Sequence, residues 1–161
     1  MFHHNSYAQQ ALSPEDGLSI IEQSASRFPK FYREFNNLKQ TDKKIKNFKF
    51  IRGNGHGNPA SASNNGVITI DLSFIETSNP NFDDNRLVVV LYHELGHLYY
   101  FAEYKTTDNT EDNEKFAFEY SLKRTKELAE NGDCLPLKTG LKFMKLRSQS
   151  DNIADEHVRA L

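Results

Sequence analysis

Two histidines and a glutamate stand together in the chain as His93-Glu94-Leu95-Gly96-His97. In a helix, positions i and i+4 share a face, so both imidazoles would point the same way one turn apart and could hold one metal ion from the same side. Glu94, next to the first histidine, would then stand as general base toward a water that the metal activates. The surroundings favour a helix: residues 88–101 contain no proline, one glycine and mostly large apolar side chains. A helix that is apolar on nearly every face is a buried one. Burying two imidazoles and a carboxylate without partners is expensive, and a metal ion removes much of that penalty. The competing reading of the same residues is a buried helix with ordinarily satisfied histidines.

A catalytic zinc site of this kind takes three protein ligands and keeps a fourth position for water. If the same helix supplied the third ligand, glycine would be needed where Tyr100 stands and a ligand at Glu103; without that glycine the chain cannot easily turn, and Glu103 reads as a surface carboxylate. After a polar loop at residues 105–109, Thr110 can cap a second helix over residues 111–130. Its candidate ligands are Glu111, Asp112, Glu114 and Glu119. Glu114 shares a helical face with Ala117, Phe118, Ser121, Leu122, Thr125 and Leu128, which turns its carboxylate toward the core. Asp112 shares its face with Phe116 and Tyr120, but also with Lys123 and Glu127, and Glu111 and Glu119 have more charged surroundings. Glu114 therefore leads, with Glu111, Asp112 and Glu119 as alternatives.

Other elements must position these residues. Ser13-Pro14-Glu15-Asp16 is a helix start, with a serine cap, proline at the first helical position and acids in the first turn. Leu18, Ile20, Ile21, Ala25 and Phe28 continue it until Phe28-Pro29 interrupts. Phe31, Tyr32, Phe35 and Leu38 predict a second helix, or the first continued through a kink, and residues 39–46 a lysine-rich solvated connector. Residues 47–51 alternate as a strand. The glycine- and asparagine-rich residues 52–66 read as a mobile loop or wide hairpin bend, with Asn65-Gly66 as the tight turn and His56 as an exposed loop histidine. No Gly-Lys-Ser/Thr follows, which argues against a phosphate loop.

Residues 67–75 give the clearest strand, expected to pair antiparallel with residues 48–51 and to offer an edge for an extended peptide. Asp83 or Asp84 is a candidate cap for the motif helix. Gly132 ends the second ligand-bearing helix. Leu141, Phe143, Met144 and Leu146 mark a short apolar element, and residues 153–161 a final amphipathic helix with His157 on its surface.

A length of 161 residues suits one domain with one core. A net charge of −2 argues against a nucleic-acid partner or a general anionic-membrane binder. Cys134 is the only cysteine, which excludes an internal disulfide and a cysteine-based zinc site and fits a reducing compartment. No basic start followed by an apolar run opens the chain, and the longest apolar stretch is broken by His93, Glu94 and His97, so neither a secretory signal nor a membrane span is expected. Residues 1–12, with His3 and His4, read as disordered. The expected location is cytoplasmic, or inside a host cell after secretion without a classical signal peptide.

His93-Glu94-Leu95-Gly96-His97, followed by Asn113-Glu114-Lys115-Phe116-Ala117, resembles the gluzincin zinc metallopeptidases. In that clan the third ligand is a glutamate on the next helix, often within an Asn-Glu-x-x-Ala-like string. The resemblance spans roughly residues 67–125. It implies a zincin-like α+β domain over residues 1–161, with a small antiparallel or mixed sheet packed on a buried His-Glu-x-x-His helix and a second ligand-bearing helix. It also implies zinc held by His93, His97 and Glu114, Glu94 as general base, and endopeptidase action on a protein or peptide.

A narrower resemblance, from the order of elements through Leu135-Pro136-Leu137-Lys138-Thr139-Gly140, is to bacterial effector-type metallopeptidases injected into host cells. There an acidic pair opens the second helix, which Glu111-Asp112 would match; the group's arginine-rich C-terminal signature is only loosely echoed, by Lys123-Arg124 and Lys138. Oxyanion help would fall to Tyr104, Tyr120 or His157. The reading from a different class is a zincin-like binding or regulatory domain without protease activity. Nothing in the residues indicates an oligomeric state.

Overall fold

Four short strands, β1 (Gln10–Leu12), β2 (Asn47–Arg52), β3 (Ala60–Ala62) and β4 (Val67–Asp71), form one sheet in the order β1-β2-β4-β3. The computed structural model describes residues 9–108, 110–150 and 155–161; His3, His4 and Ile153 lie outside them. Residues 10–12, expected to be disordered, instead pair antiparallel with β2, Ala11 opposite Ile51.

The expected antiparallel pairing of β2 with β4 is wrong in direction: they run parallel, Phe48 opposite Ile68 and Phe50 opposite Ile70. The cause lies in the glycine-rich connection, which carries a strand of its own. β3 forms an antiparallel hairpin with β4 around Gly66, whose φ of 84° is the left-handed conformation glycine allows. That hairpin reverses the chain once more, so β4 runs with β2. β4 is therefore interior, and β3 takes the edge that the sequence pattern assigned to residues 67–75. β4 is also shorter than expected. The buried Asp71 carboxylate accepts from Ser73 N–H (3.0 Å), Ser73 Oγ (2.7 Å) and Gly53 N–H (3.0 Å). This turns the chain into the single helical turn α3 (Ser73–Glu76) and ties down the start of the loop after β2.

Helix α1 (Pro14–Gln23) begins as read, with Ser13 Oγ accepting from Asp16 N–H at 3.2 Å. α2 (Pro29–Thr41) buries Phe31, Phe35 and Leu38, and Phe35 lies 4.6 Å from Phe48 and 6.2 Å from Phe50, ring centre to ring centre. The N-terminus of α2 has no cap of its own. Asp84, the first residue of α4 (Asp84–Tyr104), reaches across and accepts from Lys30 N–H (3.0 Å) and Phe31 N–H (2.9 Å), while Asp83 caps α4 itself by accepting from Arg86 N–H (2.9 Å). The two candidate caps thus serve two different helices.

α4 is the centre of the domain. Leu87, Val88, Leu91, Leu95 and Leu98 are buried in the main core, and Tyr92 donates to the buried Glu34 of α2 at 2.9 Å. His93 and His97 face α5 (Glu111–Glu130), whose cap Thr110 accepts from Asn113 N–H at 3.4 Å. The two helices touch at Gly96. A Cβ there would meet Ala117 Cα at 2.8 Å, Tyr120 Cβ at 3.0 Å and the Ala117 carbonyl oxygen at 3.2 Å. Gly96→Ala should therefore destabilise the fold by about 1–3 kcal/mol in denaturant unfolding, although alanine is the better helix former. An equally stable variant would mean that α4 and α5 are not held this close. The element expected around Leu141 to Leu146 is one helix, α6 (Leu135–Ser148), and the last helix is shorter than expected, α7 (Glu156–Arg159). Among the described residues no helix is long and apolar enough to cross a membrane.

Candidate metal centre

His93 and His97 stand one turn apart on α4, and Glu114 comes in from the first turn of α5. Their donor atoms converge. His93 Nε2 lies 3.2 Å from His97 Nε2 and 3.0 Å from Glu114 Oε2, and His97 Nε2 lies 3.3 Å from Glu114 Oε1. With zinc–nitrogen and zinc–oxygen bonds of about 2.0–2.1 Å, the edge of a tetrahedron is about 3.3 Å. The three distances are close to that edge, although the two histidines face different oxygens of the Glu114 carboxylate, and all three side chains are buried, so the donor set fits zinc in identity and brings its atoms near the spacing zinc needs. A competing assignment of the third ligand is not supported: Glu111, Asp112 and Glu119 are exposed, and Glu111 pairs with Arg159 at 3.1 Å. Glu103 is exposed as expected.

The outer contacts orient the inner ones. His97 Nδ1 faces Asn113 Oδ1 at 2.7 Å, which places the proton on Nδ1 and leaves Nε2 as the donor atom. Asn113 is fully buried and is itself fixed, its Nδ2 donating to the Asp108 carbonyl at 3.3 Å. His93 has no such acceptor: its Nδ1 is buried without a hydrogen-bond partner among the described residues, and its ring packs 4.5 Å from that of Phe118. Asn113→Ala should lower zinc affinity by about 10–100-fold in a chelator competition titration, while Glu114 stays in place. Unchanged affinity would show that the Asn113 contact does not prepare His97.

His157 completes the cluster. Its Nε2 lies 3.0 Å from Glu114 Oε2, and Asp155 holds its Nδ1 at 2.9 Å. The sequence predicts a helix-surface histidine, with an oxyanion role as the alternative. It is instead only partly exposed and turned inward, and its ligand atom lies within 4.8 Å of those of His93 and Glu114, as those of His93, Glu94 and His97 lie within 4.8 Å of one another. No local pattern marks it, because α7 is a single turn and the contact joins distant parts of the chain. Asn113 had a signal: a polar residue beside Glu114 on the turn that faces α4.

The charges follow from burial and contact. Burial pushes His93 down to about 4 despite the Glu114 carboxylate, so its imidazole is neutral near pH 7. Burial also works against a charge on His97, but the Glu114 and Glu94 carboxylates and the Asn113 contact together outweigh it and hold His97 above its ordinary value. The hydrogen bond to Glu114 raises His157. Burial opposes ionisation of Glu114 itself, yet its hydrogen bonds to His157, His93 and His97 pull it far below the carboxylate range. Half-buried Glu94 is pushed up to about 7 by burial, while the Ala62 backbone N–H favours its charged form.

His93, Glu94 and His157 open onto a cleft between α4, α5 and α6, with Val90, Phe118 and Phe143 in its walls and Asn58, Pro59 and Ala60 at its rim. The loop after β2 thus borders the cleft, and His56 in it is exposed. Residues 105–108 do not line it. Neither do the other two oxyanion candidates. Tyr104 is 56% exposed, and Tyr120 stacks on Tyr99 and accepts from Arg124 at 3.1 Å. Arg124, part of the loosely echoed basic signature, lies over the Tyr92 ring. Compared with known proteins, the chain matches no family model, no curated protein and no solved structure.

Proposed function

We propose that this chain is a zinc-dependent endopeptidase with a zincin-like fold. The observation that carries the reading is the convergence of His93 Nε2, His97 Nε2 and the Glu114 carboxylate at near-tetrahedral spacing, with Glu94 beside them in an open cleft. Zinc held there would supply a Lewis acid that polarises a peptide carbonyl and brings the pKa of a water to about 7. Glu94 takes the proton of the attacking water on its carboxylate and delivers it to the leaving amine. A carboxyl group poised near neutrality suits both transfers, and burial puts Glu94 at about 7. His157, held by Asp155 and favoured in its charged form by the Glu114 carboxylate, is the side chain on this wall best placed to stabilise a developing oxyanion from Nε2.

The edge strand beside the site suits an extended substrate. Along the hairpin, Asp71 N–H bonds to the Pro59 carbonyl (2.8 Å) and Ser63 N–H to the Val67 carbonyl (2.9 Å). Antiparallel alternation then turns the backbone groups of Ala60 and Ala62 away from β4. A peptide laid along that edge gains strand hydrogen bonds next to Glu94. Two measurements test the reading: metal analysis with chelator-dependent melting, and a proteome-wide cleavage screen of wild type against Glu94→Gln. About one equivalent of zinc, a melting point lowered by chelator and cleavages that vanish in the variant are expected. A metal-free protein indifferent to chelator would sink it. Zinc without any cleavage would leave a binding domain.

A further inference from the structure

Two arginines line the same cleft as His93, Glu94 and His157. Arg86 sits on α4 on the same face as Val89, Val90 and His93, two turns before His93, or about 10 Å along the axis. Its guanidinium lies between the rings of Phe82 (4.0 Å) and Phe143 (3.5 Å) and donates to the Asn81 carbonyl. Arg147 stands one turn beyond Phe143 on α6 and lines the same cleft. Both are half-buried, and neither has a carboxylate within ion-pair distance among the described residues.

The nearby acids are already engaged. Asp83 caps α4, and Asp155 is held by the ring and backbone N–H of His157. Two cations side by side in a partly desolvated cleft repel each other. Burial and the neighbouring Arg147 together push Arg86 down to about 10. Asp83 and Asp155 offset part of this charge from a distance, but neither comes within ion-pair distance of either guanidinium, so a ligand carboxylate on the cleft side would be the first direct ion partner among the described groups.

We infer that Arg147, with Arg86 fixed beside it, forms a subsite for a carboxylate of the peptide substrate, above all a Glu or Asp side chain within about three residues of the scissile bond. The inference deepens the peptidase reading and rests on it for the position of that bond. Arg86, stacked between two rings, sets the apolar floor and the local charge. Arg147, with no aromatic ring stacked on it among the described residues, makes the bidentate contact.

The test uses fluorescent, N-acetylated random octapeptide libraries in which one position at a time is fixed as Glu, Gln, Lys or Leu. Each is made with a free-acid and an amidated C-terminus and given to zinc-loaded wild type, Arg147→Ala, Arg147→Lys and Arg147→Glu. Wild type should favour Glu over Gln at one position by about tenfold or more in kcat/KM. Arg147→Ala should lose the preference, Arg147→Lys keep part of it, and Arg147→Glu shift it to Lys, all with wild-type zinc content. A preference that follows the free-acid terminus instead assigns the carboxylate to the chain end and supports the same subsite. No carboxylate preference in wild type, or one that survives Arg147→Glu, overturns the inference. If zinc-loaded wild type cleaves nothing, the peptidase reading fails, and anisotropy of the same peptides decides the subsite alone. Tighter binding of the Glu peptides to wild type than to Arg147→Glu supports it, and equal binding overturns it.

Discussion

Glu114→Ala is expected to lose zinc by more than about 100-fold in affinity, a larger effect than removal of an outer contact. The carboxylate is 1% exposed and is held by three imidazoles at 3.0–3.3 Å. Without it, His93 and His97 offer two donors from one helix turn, and nothing on α5 replaces the third: Glu111, Asp112 and Glu119 point to solvent. Glu114→Gln preserves volume and one oxygen but loses the negative charge, so it should also bind far more weakly. Removing one partner of a buried charged cluster costs about 3–5 kcal/mol where the remaining charges cannot adapt. Here the imidazoles can shed their protons, so the metal-free variant should fold with a smaller loss. Zinc titration of Glu114→Ala, Glu114→Gln, Glu111→Gln and Asp112→Asn separates the possibilities. Stoichiometric zinc in Glu114→Ala together with loss in Glu111→Gln or Asp112→Asn would transfer the ligand to the opening acidic pair.

Glu94→Gln is the second large effect. It should leave zinc content and melting temperature close to wild type and reduce cleavage by about 100- to 10,000-fold, the range for loss of a general acid–base group. Glu94 brings a carboxylate oxygen within 4.8 Å of the ligand atoms of His93 and His97, but it is only half-buried and lines the open cleft, which suits it to be the base, with Glu114 as the third ligand. The amide is nearly the same size, so packing against β3 survives while the proton acceptor is lost. Cleavage at wild-type rate in this variant would remove Glu94 from the mechanism.

The features legible from residues alone were those carried by short-range spacing. His93 and His97 are one turn apart, and the face shared by Glu114, Ala117 and Ser121 turns inward because small residues let α5 approach Gly96. Such patterns lie within one helix and need no knowledge of the rest of the chain. Strand direction is different. Whether β2 and β4 run parallel depends on the path between them, and that path is set by β3, three residues too short and too small to show an alternation. β1 is equally short and is defined by backbone pairing with β2. His157 could be named from the sequence only as one of three oxyanion candidates, and its contact with Glu114 was unreadable because only tertiary packing brings α7 there. Arg86 and Arg147 each look like ordinary helix-surface cations until α4 and α6 are placed side by side.

The cross-helix cap at Asp84 makes α2 a reporter of the metal-bearing helix. The N–H groups of Lys30 and Phe31 are closed by a carboxylate that belongs to α4, not by a neighbour in their own chain segment. Those amides can exchange with solvent only when the start of α4 moves away or α2 itself opens. Their protection therefore tracks the seating of the helix that presents His93 and His97, from a place outside the cleft where neither substrate nor ion interferes with the signal.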